Sequence, residues 1–165
     1  MDELISTLPS DPRARPLIAD LGRDYDERYG LNDGIPSSFE LERYPAEQFA
    51  HRNGGAFLLL IRDGVVIAGG AYKRVSVSTA EIKRVWTNPD YRRQGLARII
   101  MAALEDATLA HGYTNVELTT GARQPEAVAL YLTLGYSPEF DLDGDYEAIS
   151  YLSFTKSLVA EPVPA

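Results

Sequence analysis

The residues best suited to chemistry surround a glycine at the start of a predicted helix. Arg92 and Arg93 precede Gly95, and the small Ala97 follows it, where a strand and a proline turn give way to a helical pattern over Leu96–Ala110. The first backbone N–H groups of a helix have no intrahelical partner, and the helix dipole adds partial positive charge there. A glycine also lets a ligand approach the main chain closely. The segment therefore predicts a site for a phosphate or a pyrophosphate.

The charges around this segment are compatible with an anion site. Between Lys83 and Arg98 the chain carries five basic residues and one acid, Asp90, in a protein whose formal net charge is -8. A local excess of cations in an acidic chain indicates an anionic partner. A solvated helix start with scattered arginines explains the same charges equally well, so the charge pattern alone leaves both interpretations open.

The loop does not match two common nucleotide-binding motifs. It is not GxxxxGK[ST], because that motif's lysine and hydroxyl are missing, and it is not GxGxxG, because the glycine spacing differs. A generic α/β nucleotide-binding domain is therefore a poor interpretation of this sequence.

Two further patterns occur in a fixed order along the chain. The first is Arg92-x-x-Gly95-x-Ala97, preceded by Thr87-Asn88-Pro89 at the end of a predicted strand. The second is Ala127-x-x-Leu130-Tyr131-x-x-x-Gly135-Tyr136, one helix and one strand later. With both patterns in order, the chain resembles the GNAT superfamily of acyl-CoA-dependent N-acyltransferases, whose signature is Arg/Gln-x-x-Gly-x-Gly/Ala. The resemblance covers roughly Ala56 to Thr155.

The resemblance implies both a fold and a co-substrate. The fold is a single α/β (α+β) domain with a mixed, mostly antiparallel sheet of six to seven strands and helices on both faces. The strand ending at Thr87 and the strand over Val116–Thr120 would part in a V that holds the pantetheine of acetyl-CoA, while the pyrophosphate would lie on the loop after Pro89. The implied cofactor-binding residues are Val85, Trp86, Thr87, Arg92, Arg93, Gln94, Gly95, Leu96, Ala97, Arg98, Gln124 and Tyr131. Gln124 stands where the family often has asparagine.

The resemblance also implies catalytic roles. Tyr131 matches the family's tyrosine that protonates the departing thiolate, and Glu81 begins the cofactor strand, where similar proteins use a glutamate as base, here through a water. The backbone N–H of Val85 is the candidate donor to the oxyanion. Without the motif, Tyr131 is more typical of a core aromatic, and Glu81 is equally well a solvated carboxylate. Trp86 alternates with Val85, so its ring faces the other side of the sheet and is more typical of core.

The acceptor site in this family is built largely from the N-terminal helices and the last strands. In this chain those parts carry aromatic residues together with acids at Asp24, Asp26 and Glu27. Acids among aromatic rings favour a cationic amine, although acids on an exposed helix are commonly just solvated. The candidate acceptor-binding residues are Tyr25, Tyr29, Phe39, Tyr72 and Tyr146.

The composition excludes several classes of protein. The 165 residues include no cysteine and only two histidines, His51 and His111, so disulfides, thiol nucleophiles and a three-histidine zinc site are ruled out. We expect no metal. The longest apolar run is too short for a membrane span, and the acidic start Met-Asp-Glu is unlike a signal peptide. We therefore expect a cytoplasmic protein that binds neither membranes nor, with its net negative charge, nucleic acid; a homodimer is left open.

Residue periodicity predicts the elements that position these groups. The predicted helices are Pro12–Tyr29, Ala46–Ala50, Leu96–Ala110 and Pro125–Leu134, with a loop over Gly30–Ser38. The predicted strands are Leu4–Leu8, Ala56–Arg62, Val65–Val75, Glu81–Thr87, Val116–Thr120, Tyr136–Phe140 and Glu147–Thr155. The buried face of the third helix is assigned to Leu96, Ile99, Ile100, Ala103, Leu104 and Ala107. The acetyltransferase-like domain is assigned to residues 1–156, and residues 157–165 to a loose tail.

The predicted function is transfer of the acetyl group of acetyl-CoA directly to a primary amine, taken to be a small molecule. Attack of an amine on a thioester needs no protein nucleophile, which agrees with a chain that has no cysteine. Two alternatives stay open. One is acetylation of a protein N-terminus or lysine, and the other is a non-catalytic acyl-CoA-binding module.

Overall fold

A computed structural model describes residues 1–42 and 44–159. Its strands are β1 Asp2–Ser6, β2 Leu31–Asn32, β3 Ile35–Pro36, β4 Ala56–Arg62, β5 Val65–Arg74, β6 Thr79–Thr87, β7 Asn115–Gly121, β8 Ser137–Pro138 and β9 Tyr151–Ser157. Its α-helices are α1 Arg15–Tyr29, α2 Leu96–Ala110, α3 Pro125–Thr133 and α4 Tyr146–Ile149. Short 3-10 helices cover Pro12–Ala14, Ser37–Glu42, Ala46–Phe49, His51–Asn53 and Pro89–Tyr91.

The main sheet has seven strands in the order β1-β4-β5-β6-β7-β9-β8. Among the described strands only β6 and β7 run parallel, and the other pairs are antiparallel. One core cluster packs α1 against the sheet, and a second packs α2 and α3 against the opposite face. The predicted mixed sheet with helices on both faces is confirmed. No helix in residues 1–42 and 44–159 is long and apolar enough to cross a membrane.

Helix α2 carries the cofactor motif at its first turn, and its ends follow from two glycines. Gly95 precedes it with φ of 74° and Gly112 follows it with φ of 100°, both in the left-handed region that glycine adopts readily. The face of Leu96, Ile100 and Leu104 is buried as predicted. Ile99, predicted on the same face, is 47% exposed, because the buried stripe of this helix turns toward Met101 instead.

Strand β6 contains a bulge at Arg84, whose φ is +59°. Gly69 pairs with Trp86 and Ala71 with Lys83, so β6 has one more residue than β5 over this stretch. Before the bulge, Ile82 packs in the α2 core; after it, Trp86 packs in the α1 core. The bulge therefore reverses the alternation of β6, so that side chains after it face the opposite side of the sheet from the side chains at the same alternate positions before it.

Several predicted boundaries are wrong in detail. The first strand covers Asp2–Ser6 rather than Leu4–Leu8, and the predicted loop after α1 contains the β2–β3 hairpin and the start of a 3-10 helix. The last predicted strand, Glu147–Thr155, divides into α4 and β9, because Asp145 accepts from the amides of Glu147 and Ala148 and caps a helical turn. The predicted tail began at Ser157, which is the last residue of β9; residues 160–165 lie outside the described part of the chain.

Candidate active site

Strands β6 and β7 part soon after they meet. They pair only over Thr79–Glu81 with Asn115–Glu117, although β6 continues to Thr87 and β7 to Gly121. The backbone groups of β6 that face β7 beyond Glu81 therefore have no partner on that strand. This opening is the V that the sequence predicts between the two strands.

The start of α2 lies beyond the end of β6 and presents an open main chain. The Ile99 amide donates to the Gly95 carbonyl at 3.2 Å, which leaves the amides of Leu96, Ala97 and Arg98 without intrahelical partners. Apart from Gly95 and its two chain neighbours, no residue in the described part of the chain has an atom within 4 Å of the place that a Cβ at Gly95 would take. The arrangement can accept an anion on backbone N–H groups.

The arginines of this loop are exposed, and a side-chain hydrogen bond from Arg62 holds the loop in place. Arg92, Arg93 and Arg98 form no ion pair within residues 1–42 and 44–159, so their charges are available to an anion. Gln94, predicted as a cofactor contact, instead accepts from Arg62 Nη1 at 2.7 Å through its side chain. Its side chain therefore fixes the loop, and only its backbone faces the site.

Tyr131 and Tyr25 pack with the cores on opposite faces of the sheet and are electrostatic neighbours. Tyr131 packs in the α2 core and is 8% exposed, whereas Tyr25 packs beside the α1 core. Burial raises the pKa of Tyr131, and the nearby Tyr25 raises it further. Burial also raises the pKa of Tyr25 to about 12. In the described part of the chain neither hydroxyl has a hydrogen-bond partner, and both stay protonated at neutral pH.

Glu81 lies at the apex of the V between two lysines. Its carboxylate is 3.4 Å from Lys73 Nζ and 3.8 Å from Lys83 Nζ, and its side chain is only 17% exposed. Both ammonium groups also lie over the ring of Tyr44, at 5.0 and 4.6 Å from its centroid. Two ammonium groups thus flank the carboxylate, and no contact joins it to Tyr131 among the described residues.

The three predicted contacts on β6 divide between the faces of the sheet. Val85 is half-buried against the α2 core, and Trp86 is buried in the α1 core, where its Nε1 donates to Asp20 Oδ2 at 2.7 Å. The indole of Trp86 cannot stack on a ligand in the V, so this residue reaches the opening only through its backbone. Thr87, at the end of the strand, pairs with Ala68.

Gln124 and Tyr29, predicted for the cofactor and the acceptor, bond to each other. The Oε1 atom of Gln124 accepts from Tyr29 Oη at 3.1 Å, from Thr120 Oγ1 at 3.1 Å and from the Gly121 amide at 3.0 Å. Tyr29 Oη also accepts from the Arg123 amide at 3.2 Å. These bonds tie the end of α1 to the start of α3, and they leave only the amide NH2 of Gln124 for a ligand.

The remaining predicted acceptor residues, Tyr72, Tyr146 and Phe39, lie in separate environments. Tyr72 is 1% exposed, and its hydroxyl bonds to the Ala107 carbonyl and His111 Nδ1 behind α2, so the structure does not bring it to the opening. Tyr146 packs edge-on against Phe140 and donates to the Leu142 carbonyl. Phe39 is 55% exposed on the Ser37–Glu42 helix.

The acids of α1 are largely engaged locally. Asp24 pairs with Arg28 at 2.9 Å, and Asp26 accepts from the Ser38 amide at 2.8 Å. They therefore shape the helix and the following loop instead of facing a ligand. No group of three or more histidine, aspartate or glutamate residues that could hold a metal occurs in the described residues.

Sequence reasoning counted Arg84 only as one charge of the basic stretch, and the structure gives it a separate place. It is 8% exposed, its Nη2 donates to the Leu41 carbonyl at 2.6 Å, and its guanidinium lies 4.7 Å from the centroid of the Phe49 ring. Burial lowers its pKa, yet a guanidinium stays cationic in proteins. No sequence pattern reveals the bulge that turns this side chain inward.

Comparison with known proteins identifies the family. The model of the acetyltransferase (GNAT) family matches residues 18–136. The ribosomal protein bS18-alanine N-acetyltransferase of Escherichia coli (strain K12) is 28% identical over 111 aligned residues, which cover 62% of this chain and 74% of that protein.

Solved structures share the fold over almost the whole chain. A GNAT-family acetyltransferase from Staphylococcus aureus Mu50 superposes with a TM-score of 0.75 at 14% identity, covering 96% of this chain and 100% of that chain. The protein yncA of Salmonella typhimurium, solved with its cofactor acetyl-CoA, has a TM-score of 0.67 at 15% identity, covering 99% and 98%. At these identities the likeness shows the fold. With the family match spanning most of the residues that build the sheet and the V, the chain belongs to the GNAT family of acetyltransferases.

Proposed function

We propose that this acetyltransferase moves the acetyl group of acetyl-CoA onto the primary amine of a small molecule. Family membership supports acetyl transfer to an amine. The observation that carries the finer proposal is the V between β6 and β7, which has an open helix start beyond the end of β6. The phenol of Tyr131 on α3 has no hydrogen-bond partner among the described residues and supports the same proposal.

The residues present fit acetyl-CoA. A pyrophosphate suits the free amides at Leu96–Arg98 and the unpaired guanidinium groups of Arg92, Arg93 and Arg98, because both offer positive charge to phosphate oxygens. The open space above Gly95 lets the phosphates approach the backbone. The backbone of β6 at Val85 and Thr87, which β7 does not pair with, suits the amides of a pantetheine arm. Acetyl-CoA supplies a thioester carbonyl that an amine can attack.

Tyr131 is proposed as the acid that protonates the leaving sulfur. Its raised pKa keeps the phenol protonated, and its hydroxyl has no competing partner in the described residues. Tyr25, close by on the other face, is placed to contact the incoming amine.

Glu81 is proposed as the group that receives the amine's proton through a water. Its position at the apex suits this role, and Lys73 Nζ and Lys83 Nζ lie 3.4 and 3.8 Å from its carboxylate. We assign Glu81 to proton relay through a water and not to direct abstraction.

A second candidate acceptor is the N-terminus of a protein. The Escherichia coli relative is named as the N-acetyltransferase of an alanine of ribosomal protein bS18, and this name supports the second candidate.

The test is release of free thiol from acetyl-CoA in the presence of amines and peptides. Because the chain has no cysteine, a thiol reagent gives no protein background. Turnover with small amines, in preference to peptides ending in Ala, supports the proposal. Preference for the peptides overturns the small-molecule acceptor. Binding of CoA without turnover of any acceptor favours a non-catalytic acyl-CoA-binding module. The cytoplasmic location and the homodimer stay predictions, measured by cell fractionation and light scattering.

A further inference from the structure

Arg84 is a buried cation, and its backbone adopts an energetically unfavourable conformation. An arginine with φ of +59° is uncommon, because its Cβ is crowded in the left-handed region, and such strain persists only where the surroundings over-determine it. The side chain is also removed from water, at 8% exposure. Burying a charge is unfavourable unless it is paired. The fold therefore keeps two unfavourable features at one residue of the V.

The groups around Arg84 leave most of its donors free, although the nearby Glu40 carboxylate partly offsets its charge. Its Nη2 donates to the neutral Leu41 carbonyl, and its plane lies over Phe49. A guanidinium has five N–H donors, so most of them remain without a protein acceptor. No ion pair includes Arg84 within residues 1–42 and 44–159, whereas Lys73 and Lys83 on the same face both lie within 4 Å of Glu81.

The position of Arg84 connects it with the acceptor side of the site. The bulge directs it to the α1 face, where Tyr25 and Glu40 are its charged or ionisable neighbours. Tyr25 is also an electrostatic neighbour of Tyr131. Tyr25 thus neighbours both Arg84 and the proposed acid, while Glu81 and Lys83 precede Arg84 on the same strand.

We propose that Arg84 binds the carboxylate of the acceptor, and that the acceptor is a small zwitterion of the amino-acid type. The carboxylate forms a two-pronged pair with the free donors of the guanidinium, beside the bond to Leu41. Its amine then lies toward Tyr25 and the V, where it attacks as the free base. This inference rests on the proposed acetylation of small amines and narrows it. A protein N-terminus, which has no carboxylate next to its amine, fits this site less well.

The experiment compares each of the common L-amino acids with its own carboxamide as acceptor. The pair differs only at the carboxylate, and the amine of the amide is the less basic of the two and the more available at neutral pH. A preference for the acid therefore opposes intrinsic reactivity. For the accepted amino acid we expect kcat/KM to exceed that of its amide by about 10- to 100-fold.

Two variants test whether Arg84 is the cause. Arg84→Asn removes the guanidinium while asparagine tolerates positive φ, and it is expected to lower the acid-to-amide ratio by about 10- to 100-fold. Arg84→Lys keeps the charge without the planar fork, and an intermediate ratio is expected. The matched control is Arg52→Asn, at an exposed arginine in the His51–Asn53 helix, which should keep the ratio of the wild type. A role limited to holding the Leu41 loop would lower both activities together and leave the ratio constant.

The outcomes separate the two levels of proposal. If amines are acetylated but the wild type favours amides, or Arg84→Asn keeps the acid-to-amide ratio, the inference is overturned and the proposed function stands. If no small amine is acetylated, the proposed function itself fails. The wild-type comparison needs no variant, so a poorly folded Arg84→Asn protein leaves the inference falsifiable.

Discussion

Arg28 and Arg123, 95 positions apart, exchange hydrogen bonds: each donates from Nη1 to the backbone carbonyl of the other at 2.6 Å. Arg28 lies in the last turn of α1, and Arg123 lies just before α3, the helix that carries Tyr131. Together with the bond between Tyr29 and Gln124, this pair closes one side of the V. The two arginines therefore help to hold α1 against the start of α3.

Arg123→Ala should loosen this closure. It removes the bond to the Arg28 carbonyl and the ion pair with Glu147. We expect the free energy of unfolding to fall by about 1 kcal/mol and the acceptor KM to rise several-fold, because one of the bonds that tie α1 to the start of α3 is lost. Urea unfolding and steady-state kinetics measure both. Arg23→Ala, at an exposed pair with Asp20 on α1, is the control and should change neither quantity appreciably. An unchanged KM in Arg123→Ala would show that the closure is not needed for acceptor binding.

Tyr131→Phe should lower kcat far more than it weakens CoA binding. The variant keeps the ring in the α2 core and deletes only the hydroxyl, so about a 100-fold loss of kcat is expected if that hydroxyl is the acid. Stopped-flow or steady-state thiol release gives kcat, and calorimetry gives the Kd for CoA. The control is Tyr136→Phe, whose ring lies 5.8 Å from that of Tyr131 and whose hydroxyl bonds to Glu105. Equal losses in the two variants would remove the acid role from Tyr131.

Gly95→Ala tests the anion site through a pair of matched glycines. Gly95 and Gly64 have similar φ values of 74° and 78°, and nothing lies within 4 Å of a Cβ at either position. Each alanine should therefore cost about 1 kcal/mol of stability through the backbone. Only Gly95→Ala places a methyl group where the phosphates approach, so only this variant should weaken CoA binding, by about tenfold. Thermal unfolding and CoA titration distinguish the two effects, and equal CoA affinity in both variants would contradict the site.

Alkaline pH should lower the free energy of unfolding, because two tyrosines have raised pKa values in the folded protein. The pKa of Tyr25 is raised to about 12 and that of Tyr131 is raised as well, both by burial, whereas an unfolded tyrosine has a pKa of about 10. Between these values the unfolded chain releases protons that the folded chain keeps, so stability present below pH 10 is lost as the pH rises.

The measurement is urea unfolding at several pH values from 8 to 11. In Tyr25→Phe the loss of stability above pH 10 should be smaller than in the wild type by about 1 kcal/mol at pH 11. Tyr151→Phe, at a tyrosine that is 71% exposed, is the control and should follow the wild-type curve. Identical curves for all three proteins would show that Tyr25 does not hold its proton more tightly in the fold.

Local pattern was sufficient for the elements that carry the motifs. The helix over Leu96–Ala110 was predicted with the bounds that the structure has, because an amphipathic repeat and two flanking glycines act within a few residues. The strands over Ala56–Arg62 and up to Thr87 follow from alternation and a proline in the same way. The family resemblance likewise depended on short spacings that can be read directly.

The side chains of the site could not be placed by the same means. Tyr72 looked like an acceptor residue but bonds to His111 behind α2, and Gln124 looked like a ligand contact but is used by Tyr29. Both outcomes depend on partners 39 and 95 positions away, which periodicity does not encode.

The sequence by itself determined that the chain has an open, basic helix start after a strand, a tyrosine at a fixed later spacing, and no thiol chemistry. Only the tertiary structure decided which of these groups face one another, where β6 and β7 part, and that Arg84 turns inward. The physical reason is that a one-residue bulge reverses the face of every side chain after it, and its position depends on pairing with β5 rather than on the residues of β6 alone.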